Sequence, residues 1–373
     1  MRIALVHYSA SPVIGGVETI LAAHARLFTG AGHEVRIVAR RGGDENVVLL
    51  RDKDPLAKLR RALTGCDVVI AHNVLTMPFD LPLTEALWQI AEETSSLPSP
   101  PRFIAWIHDI AAGNPDYPLA YHKSPWRRLA QASPHFAYIA ISEHRARQFS
   151  SLTGAPAEMI PNAVEPTEVL GLTPRIRKFA GAHDLLGRDI LLLHPTRLVR
   201  RKNVERGLAV TAELRARGRT VAYLVTAAPD PHRAAGADYA EELRRKRAEL
   251  GLEKEVFFLG ENFAVTKTDL VALYALADAL FFPSRQEGFG LPLLEAALHR
   301  LPIFCVDIAP MNALLEHSLH AFAPETTPAE IAARIIRTLD HAPAHRVRKE
   351  VLRRYAWSTI DREYLRPLLA AQR

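Results

Sequence analysis

The chain has 373 residues, which at about 150 residues per domain predicts two domains. Hydrophobic residues make up 48% of the chain and charged residues 24%, a composition that excludes a disordered or fibrous protein. The formal net charge is only +6 and does not form the dense basic footprint of a nucleic-acid-binding protein, so we predict no nucleic-acid partner.

The first half of the chain alternates short apolar runs with amphipathic stretches, a rhythm typical of a parallel α/β sheet. The predicted strands are residues 3–6, 34–39, 67–71, 103–107 and 138–141. A stretch at 161–174 that is punctuated by proline and glycine then predicts a linker. We therefore place the first domain at residues 1–170.

The second half of the chain restarts the same rhythm and predicts a second domain at residues 175–356. Its predicted strands are residues 189–193, 220–225, 255–259, 279–282 and 302–306, and its main predicted helices are 204–217, 239–250, 268–277, 293–299 and 328–339. The last segment, 357–373, has a helical pattern, and we expect it to pack back on the first domain. The predicted fold class is α/β, with two doubly wound domains and a ligand site in the cleft between them.

The cysteines and the N-terminus indicate the cellular compartment. Cys66 and Cys305 lie far apart, and no CxxC or Cys/His cluster is present, so we expect neither a disulfide framework nor a structural zinc site. Residues 1–6 are interpreted as a strand rather than a signal peptide, and no run reaches the ~18 apolar residues of a membrane span. These observations favour a cytoplasmic location.

The most informative segment of the sequence is residues 284–296. It follows a predicted strand and leads into a helix, so Gly288 and Gly290 leave the backbone amides near Leu291 free to approach a diphosphate. Glu287 and Glu295 are eight positions apart, which lets both carboxylates face one ligand and accept hydrogen bonds from sugar hydroxyls. The alternative is a plain helix N-terminus with an acidic residue, which accounts for Glu295 but not for the loop before it.

A basic cluster precedes the helix predicted at 204–217. Arg197 and the run from Arg200 to Lys202 oppose the N-terminal dipole of that helix. An anionic ligand would remove this conflict, whereas the alternative interpretation is a solvated basic loop.

Three polar sites follow predicted strands of the first domain. Gly15 and Gly16 follow the first strand and can present amides to an anion, or can simply form a tight turn. His72 and the pair His108-Asp109 directly follow two other strands, where ligand-facing residues are expected. A single histidine in such a place is more often structural, but two in equivalent places favour a shared polar cleft.

Taken together, these residues resemble the retaining glycosyltransferases of family 4, whose GT-B fold consists of two Rossmann-like domains that face each other across a central cleft. The features that match, in order, are the loop from Gly15 to Glu18, His108, the Arg197 to Lys202 spacing, and Glu287-x7-Glu295 with Gly-Phe-Gly inside it. Ala163 departs from the family's usual Pro-Asn-Gly at the hinge, so no function is assigned to it.

The resemblance implies roles for individual residues. Glu295 would hold the ribose of a nucleotide sugar, and Arg197 and Lys202 would bind its diphosphate together with amides near Gly16, Gly290 and Leu291. Glu287, Gly288 and Phe289 would contact the donor sugar, with His108 beside it. The predicted catalytic set is thus Glu287, His108, Lys202 and Arg197, and His72 and Asp109 are acceptor-side candidates.

The activity expected from this resemblance is transfer of a hexosyl group from a UDP- or GDP-linked sugar to a hydroxyl acceptor, with no cofactor and no essential metal. The alternatives are an epimerase or a phosphorylase on the same fold, and a nucleotide-sugar-binding protein without catalysis. The acceptor is a saccharide, a small molecule or a lipid-linked molecule. The basic loops at 40–41 and 58–61 are interpreted as solvated surface or as a peripheral contact with an anionic membrane.

Overall fold

The structure is a computed structural model that describes residues 1–43, 47–226, 235–314 and 319–371. It divides into two compact units. The first unit combines Met1–Ala163 with Trp357–Arg373, and the second unit is Val164–Ala356.

The first unit is built on a parallel sheet of seven strands within the described part of the chain, in the order β3-β2-β1-β4-β5-β6-β7. The strands are β1 (Arg2–Ser9), β2 (Glu34–Arg41), β3 (Val47–Leu49), β4 (Val68–His72), β5 (Arg102–Ile107), β6 (Phe136–Ala140) and β7 (Glu158–Met159). Its helices are α1 (Gly16–Gly30), α2 (Leu56–Leu63), α3 (Leu81–Thr94) and α4 (Glu143–Thr153).

The central strands of this sheet are buried on both faces, which explains their continuous apolar sequence. In β4, Val69 packs on one face with residues of α2, α3 and α4, whereas Ile70 packs on the other face with residues of α1 and of the C-terminal segment. That segment consists of α14 (Trp357–Ile360), a π-turn at Asp361–Leu365 and α15 (Arg366–Ala370). Trp357 is 4% exposed in this core.

The second unit repeats the design with a parallel sheet that has six strands among the residues the structure describes, in the order β10-β9-β8-β11-β12-β13. The strands are β8 (Ile190–His194), β9 (Val221–Val225), β10 (Val256–Phe258), β11 (Ala279–Phe282), β12 (Ile303–Val306) and β13 (His320–Phe322). The helices described are α5 (Pro166–Val169), α6 (Pro174–Ala182), α7 (Val204–Ala216), α8 (Ala235–Glu249), α9 (Lys267–Leu276), α10 (Leu291–Leu298), α11 (Met311–Leu314), α12 (Pro328–His341) and α13 (Pro343–Arg354).

The strand order confirms the predicted α/β class with two Rossmann-like units, because each sheet follows the 3-2-1-4-5 order of a doubly wound fold. The direction of winding reverses between β1 and β4 in the first unit and between β8 and β11 in the second. At such a switch point the loops diverge and leave a crevice at the carboxyl ends of the strands. The structure therefore indicates one candidate ligand crevice in each unit.

The division between the units lies at Ala163/Val164, whereas we predicted a first domain that ends at residue 170. The backbone amide of Val164 donates to the carbonyl oxygen of Tyr355 over 2.8 Å, which places the start and the end of the second unit side by side. The stretch that we predicted as a linker instead contains α5 and the beginning of α6.

Candidate functional site

An ion pair joins the two loops that flank the switch point of the second sheet. Lys202, after β8, is paired with Oε1 of Glu287, after β11, and the two side chains are 13% and 7% exposed. Arg201 lies 3.7 Å from the other oxygen of Glu287. The sequence predicted both Lys202 and Glu287 as site residues, and the structure brings them into direct contact.

Asn203 ties these two loops together. It has φ 53°, a left-handed conformation that asparagine tolerates, and this ends the 3-10 turn Arg200–Lys202. Its side-chain amide donates to the carbonyl oxygen of Pro283 over 3.2 Å, and the amide of Arg285 donates to the carbonyl oxygen of Arg201 over 2.7 Å. We did not predict Asn203 from the sequence, although an asparagine between a basic run and a helix is a signal for such a turn.

The charges of the basic cluster are only partly neutralised within the described residues. Arg200 pairs with Glu242 over 2.7 Å, and Arg285 pairs with Glu205 over 3.0 Å. Lys202 and Arg201 share the single carboxylate of Glu287. The exposed Arg197 side chain makes no hydrogen bond or ion pair with any described residue. The loop therefore carries a surplus of positive charge, which favours an anion.

Aromatic and neutral groups surround the other side of Lys202. Its Nζ lies 5.2 Å from the ring centroid of Phe282. His194, the last residue of β8, is fully buried, and its Nδ1 lies 2.5 Å from the hydroxyl of Tyr223. Burial, reinforced by the charge of Lys202, lowers the pKa of His194 to about 3. His194 is therefore neutral at physiological pH and leaves Lys202 as the charged group.

The N-terminus of α10 lies at the end of the second loop. Gly290 is its N-cap with φ 102°, a left-handed conformation that favours glycine, and no side chain of the described residues caps the helix. Phe289 and Leu291 on either side are 51% and 60% exposed. At Gly288 a Cβ would have no atom within 4 Å, so the protein alone does not require glycine there. The helix thus presents uncapped amides beside open space, as the sequence predicted.

The second glutamate of the motif, Glu295, has a different partner. Its Oε2 accepts a hydrogen bond of 2.7 Å from the hydroxyl of Tyr274 in α9, and its other oxygen makes no hydrogen bond within the described residues. Burial and this carboxylate raise the pKa of Tyr274, so the hydroxyl stays protonated as a donor. The ring of Tyr274 also stacks on His299, with centroids 5.3 Å apart. We did not predict Tyr274 from the sequence, because no pattern in α9 indicates its contact with α10.

In the first unit, the Gly15-Gly16 turn already faces a carboxylate of the protein. Gly15 is the N-cap of α1, and a Cβ on it would collide with Oε2 of Glu18. The hydroxyl of Ser9 donates to Oε1 of the same carboxylate. The carboxylate of Glu18 therefore complements the positive end of the α1 dipole. Binding of a diphosphate by the Gly16 amide stays a prediction.

His108 and Asp109 lie at the carboxyl end of β5, as predicted. Their backbone amides both donate to Oδ1 of Asn73, over 3.1 and 2.8 Å. The carboxylate of Asp109 is 54% exposed and pairs with Arg145 over 2.6 Å. His108 is 5% exposed, and its Nε2 lies 3.2 Å from Nδ1 of His72.

His72 requires a correction. We predicted it as an acceptor-side residue that faces a ligand, but it is the last residue of β4 and is fully buried. Its side chain points to the same face of the sheet as Ile70, because side chains alternate along a strand. In this structure His72 cannot touch an acceptor, and its side chain contacts His108 instead.

The two basic segments that we predicted as loops lie in regular elements, because 40–41 ends β2 and 58–61 lies within α2. Arg40 pairs with Asp80, is 16% exposed, and donates to the carbonyl oxygen of Leu50 over 3.1 Å. Arg60 pairs with Glu93 over 2.8 Å. A membrane contact through these segments stays a prediction.

In the part of the chain that the structure describes, no group of three or more His, Cys, Asp or Glu side chains is placed to hold a metal ion. Within the same residues, no helix is both long and apolar enough to cross a membrane.

Comparison with known protein families gives one family match. Residues 176–354, nearly the whole second unit, match the family described as glycosyl transferases group 1. This segment includes the Lys202–Glu287 pair, Tyr274 and Glu295. The second unit is therefore similar to this family over nearly its whole length.

Curated relatives match part of this chain. The chain is 42% identical over 81 residues to the serotype-specific mannosyltransferase WbdA of Escherichia coli, a match that spans 22% of this chain and 9% of WbdA. It is 38% identical over 78 residues to the O-antigen chain mannosyltransferase RfbU of Salmonella typhimurium, a match that spans 21% of each protein. The chain thus covers less than a quarter of the length of either relative.

Solved structures are more distant. The complex of Anabaena HepE with UDP-glucose is 21% identical, and the comparison covers 100% of both chains with a TM-score of 0.38. At this TM-score the fold assignment rests on the strand order within each unit and not on the neighbour.

Proposed function

We propose that the protein transfers a hexosyl group from a UDP- or GDP-linked sugar to a hydroxyl group of an acceptor, with retention of the anomeric configuration and without a metal ion. The observation that carries this proposal is the Lys202–Glu287 pair beside the uncapped N-terminus of α10, within a glycosyltransferase group 1 domain. The mannosyltransferase relatives support mannose as the first hexose to test.

The leaving group is a nucleoside diphosphate, and the basic loop supplies what it needs. As the bond from the anomeric carbon to the phosphate oxygen breaks, the electron pair goes to that oxygen. Lys202, Arg197 and the amides at Gly290 and Leu291 stabilise the charge that develops there. A fixed donor of this kind contributes about 3–4 kcal/mol to the transition state.

The two glutamates hold hydroxyl groups rather than form a covalent bond. Glu287 is engaged by Lys202, so its carboxylate is a charge-paired acceptor for the hydroxyls of the donor sugar. Glu295 keeps one oxygen free for the ribose while Tyr274 holds the other. With no carboxylate assigned as nucleophile, we propose that the acceptor hydroxyl attacks from the face of the leaving group and passes its proton to the departing phosphate oxygen.

For the acceptor we propose a saccharide, because an exposed aromatic side chain lies in the loop after β4. Phe79 is 59% exposed and is held by edge contacts to Tyr8 and Tyr117, with ring centroids 5.6 and 5.9 Å away. A rigid aromatic face is electron-rich and attracts the polarised C–H groups of a sugar ring.

The proposal is tested with a panel of UDP-, GDP- and ADP-linked sugars and simple saccharide acceptors. We expect one donor to raise the melting temperature and to yield free nucleoside diphosphate only when an acceptor is present. A requirement for free phosphate would indicate a phosphorylase, and sugar conversion without an acceptor would indicate an epimerase. Donor binding without turnover of any sugar would indicate a binding protein, and each of these three results overturns the proposal.

A further inference from the structure

Three neighbouring strands of the first sheet direct histidines to the same face. His7 follows Leu5 in β1, His72 follows Ile70 in β4, and His108 continues the line of Trp106 in β5. His24 of α1 packs against them, with its ring centroid 5.1 Å from that of His72 and 4.7 Å from that of Trp106. We call His7, His24, His72 and His108 the histidine cluster; its members are all at most 5% exposed.

One contact within the histidine cluster is a hydrogen bond between two rings. Nδ1 of His72 lies 3.2 Å from Nε2 of His108. Two ring N–H groups or two lone pairs at this distance repel, so one nitrogen carries a proton and the other accepts it. The two rings therefore share one proton, and their tautomers are linked.

The rings are neutral, so the position of this shared proton determines the tautomer of each ring and not its charge. Burial lowers the pKa of His108 and of His24 to about 3, and it lowers the pKa of His72 well below its usual value. At physiological pH each ring then carries a single N–H.

The surroundings of His72 decide which tautomer is favoured. Its Nε2 is buried and has no hydrogen-bond partner among the described residues. A proton on Nε2 would be a buried donor without an acceptor, and such donors are rarer in proteins than acceptors without a donor. The proton of His72 therefore belongs on Nδ1, from which it is donated to Nε2 of His108. This leaves His108 with its own proton on Nδ1.

Asn73, the residue after His72, also fixes the backbone of His108. Oδ1 of Asn73 accepts from the amide of His108 over 3.1 Å, and Asn73 is held with φ 58° by the turn after β4. The carbonyl oxygen of His72 in turn lies 2.7 Å from Nδ1 of His7. His72 and Asn73 thus hold His108 by its ring and by its backbone.

We propose that His72 is a positioning residue that fixes the ring of His108 and its tautomer, so that His108 offers an Nδ1–H donor to the substrate. The inference rests on the proposed function for the substrate and on the contacts above for the tautomer. His72 itself touches no substrate, because it is fully buried.

Three variants test this role. His72→Leu removes the hydrogen bond, and His72→Asn retains a side-chain amide that can donate to Nε2 of His108. His24→Leu is the matched control, since it replaces a buried histidine of the same cluster that makes no hydrogen bond to His108. We expect kcat of His72→Leu to fall about 10- to 100-fold with the KM for the donor changed less than about twofold, as for residues that orient a functional histidine. His72→Asn and His24→Leu should stay within about threefold of the wild type, by the same reasoning.

Nitrogen NMR of ¹⁵N-histidine-labelled protein reads the tautomer directly and does not depend on turnover. We expect the Nδ1–H form of His108 in the wild type and in His72→Asn. An Nε2–H form of His108 in the wild type would overturn the proposal, as would equal losses of kcat in His72→Leu and His24→Leu. If His72→Leu does not fold, the wild-type spectrum and the kcat of His72→Asn decide. An Nδ1–H signal in a protein that turns over no donor would reject the proposed function and leave the positioning of His108 intact.

Discussion

Lys202 and Glu287 are each other's main partner, and this sets what their removal does. In Lys202→Ala, Arg201 still lies 3.7 Å from Glu287, so the carboxylate keeps a cation nearby and we expect the fold to survive. Turnover should fall about 100- to 1,000-fold, since one donor to the leaving group contributes about 3–4 kcal/mol. The measurement is released nucleoside diphosphate, with the exposed Lys178→Ala as control. Near-normal turnover of Lys202→Ala would remove the role assigned to this lysine.

Tyr274 gives a prediction that separates donor binding from stability. Tyr274→Phe removes the hydrogen bond to Glu295, and a bond to a charged group contributes about 1.5–3 kcal/mol. We expect the KM for the donor to rise about tenfold or more by the same energy, with a smaller change in kcat.

The control for this variant is Tyr138→Phe, because the hydroxyl of Tyr138 is also buried and hydrogen-bonded, to the amide of Ser133 over 2.7 Å. It should lower the melting temperature without changing the KM. Equal effects of both variants on the KM would show that Tyr274 only stabilises the fold.

Lys202 and Tyr274 also show how much of a site can be predicted from the sequence. Glu287, Glu295 and the glycines between them lie in one loop and one helix turn, so a single local pattern contains them. Lys202 was predicted from a charge that opposes a helix dipole. Tyr274 lies on another helix and meets Glu295 only through packing, which no local pattern encodes. His72 was misplaced because β4 ends one residue later than predicted, so His72 is a buried strand residue and not the first residue of the loop.

At the scale of elements, the loop before α10 contains two glycines, and the folded protein requires glycine at only one of these positions. Gly290 has φ 102°, and a Cβ there would lie 3.2 Å from Leu314. Gly290→Ala should therefore cost about 1–3 kcal/mol of stability. Gly288 has neither restriction, so Gly288→Ala should leave the melting temperature unchanged.

The functional effect of Gly288→Ala tests whether a ligand approaches this loop. If the donor lies against Gly288, the added methyl group should weaken donor binding while stability stays constant. The measurement is donor affinity by calorimetry beside a melting curve of the unliganded protein. An unchanged affinity would place the donor away from Gly288.

The loop after β4 carries the prediction for the acceptor. Phe79→Leu keeps an apolar side chain but loses the aromatic face, and we expect the KM for a saccharide acceptor to rise about 2- to 10-fold, in line with about 0.5–1.5 kcal/mol per aromatic contact. Phe79→Tyr should behave like the wild type. Leu97→Ala, at an equally exposed apolar position of the first unit, is the control. A KM that does not distinguish Phe79→Leu from the wild type would move the acceptor elsewhere.

Among the elements, all ten predicted strands are present, because the buried strands of a parallel sheet are continuous apolar runs. The strands that we did not predict, β3, β7 and β13, are two or three residues long and are neighbours of only one other strand. Glu158-Met159 of β7, for example, is too short and too polar to form a pattern. Such edge strands exist because a longer neighbour offers them hydrogen bonds.

At the scale of the whole molecule, the histidine cluster predicts how stability depends on pH. Histidines whose pKa is lowered in the folded state bind a proton more readily in the unfolded chain, so stability is lost as the pH falls from about 6.5 toward 3. For His24 the loss is about 2 kcal/mol at pH 5.

This dependence is measured by urea unfolding at pH 7 and pH 5. His24→Phe removes one such proton and should reduce the difference between the two pH values by about 2 kcal/mol. The exposed His144→Ala should show the difference of the wild type. A His24→Phe variant with an unchanged difference would contradict the burial of a neutral histidine at this position.

The return of the chain to the first unit has a consequence for synthesis on the ribosome. The second unit is continuous from Val164 to Ala356, so all of its strands have been made before Trp357 is added. The first unit is completed only by Trp357 and the segment after it, which cover the face of the sheet where His24 and Trp106 lie. During translation the second unit can therefore close first, while the first unit waits for the segment from Trp357 onward to bury its core. Nascent chains stalled before residue 357 should expose that face to chaperones, and chains released after it should not.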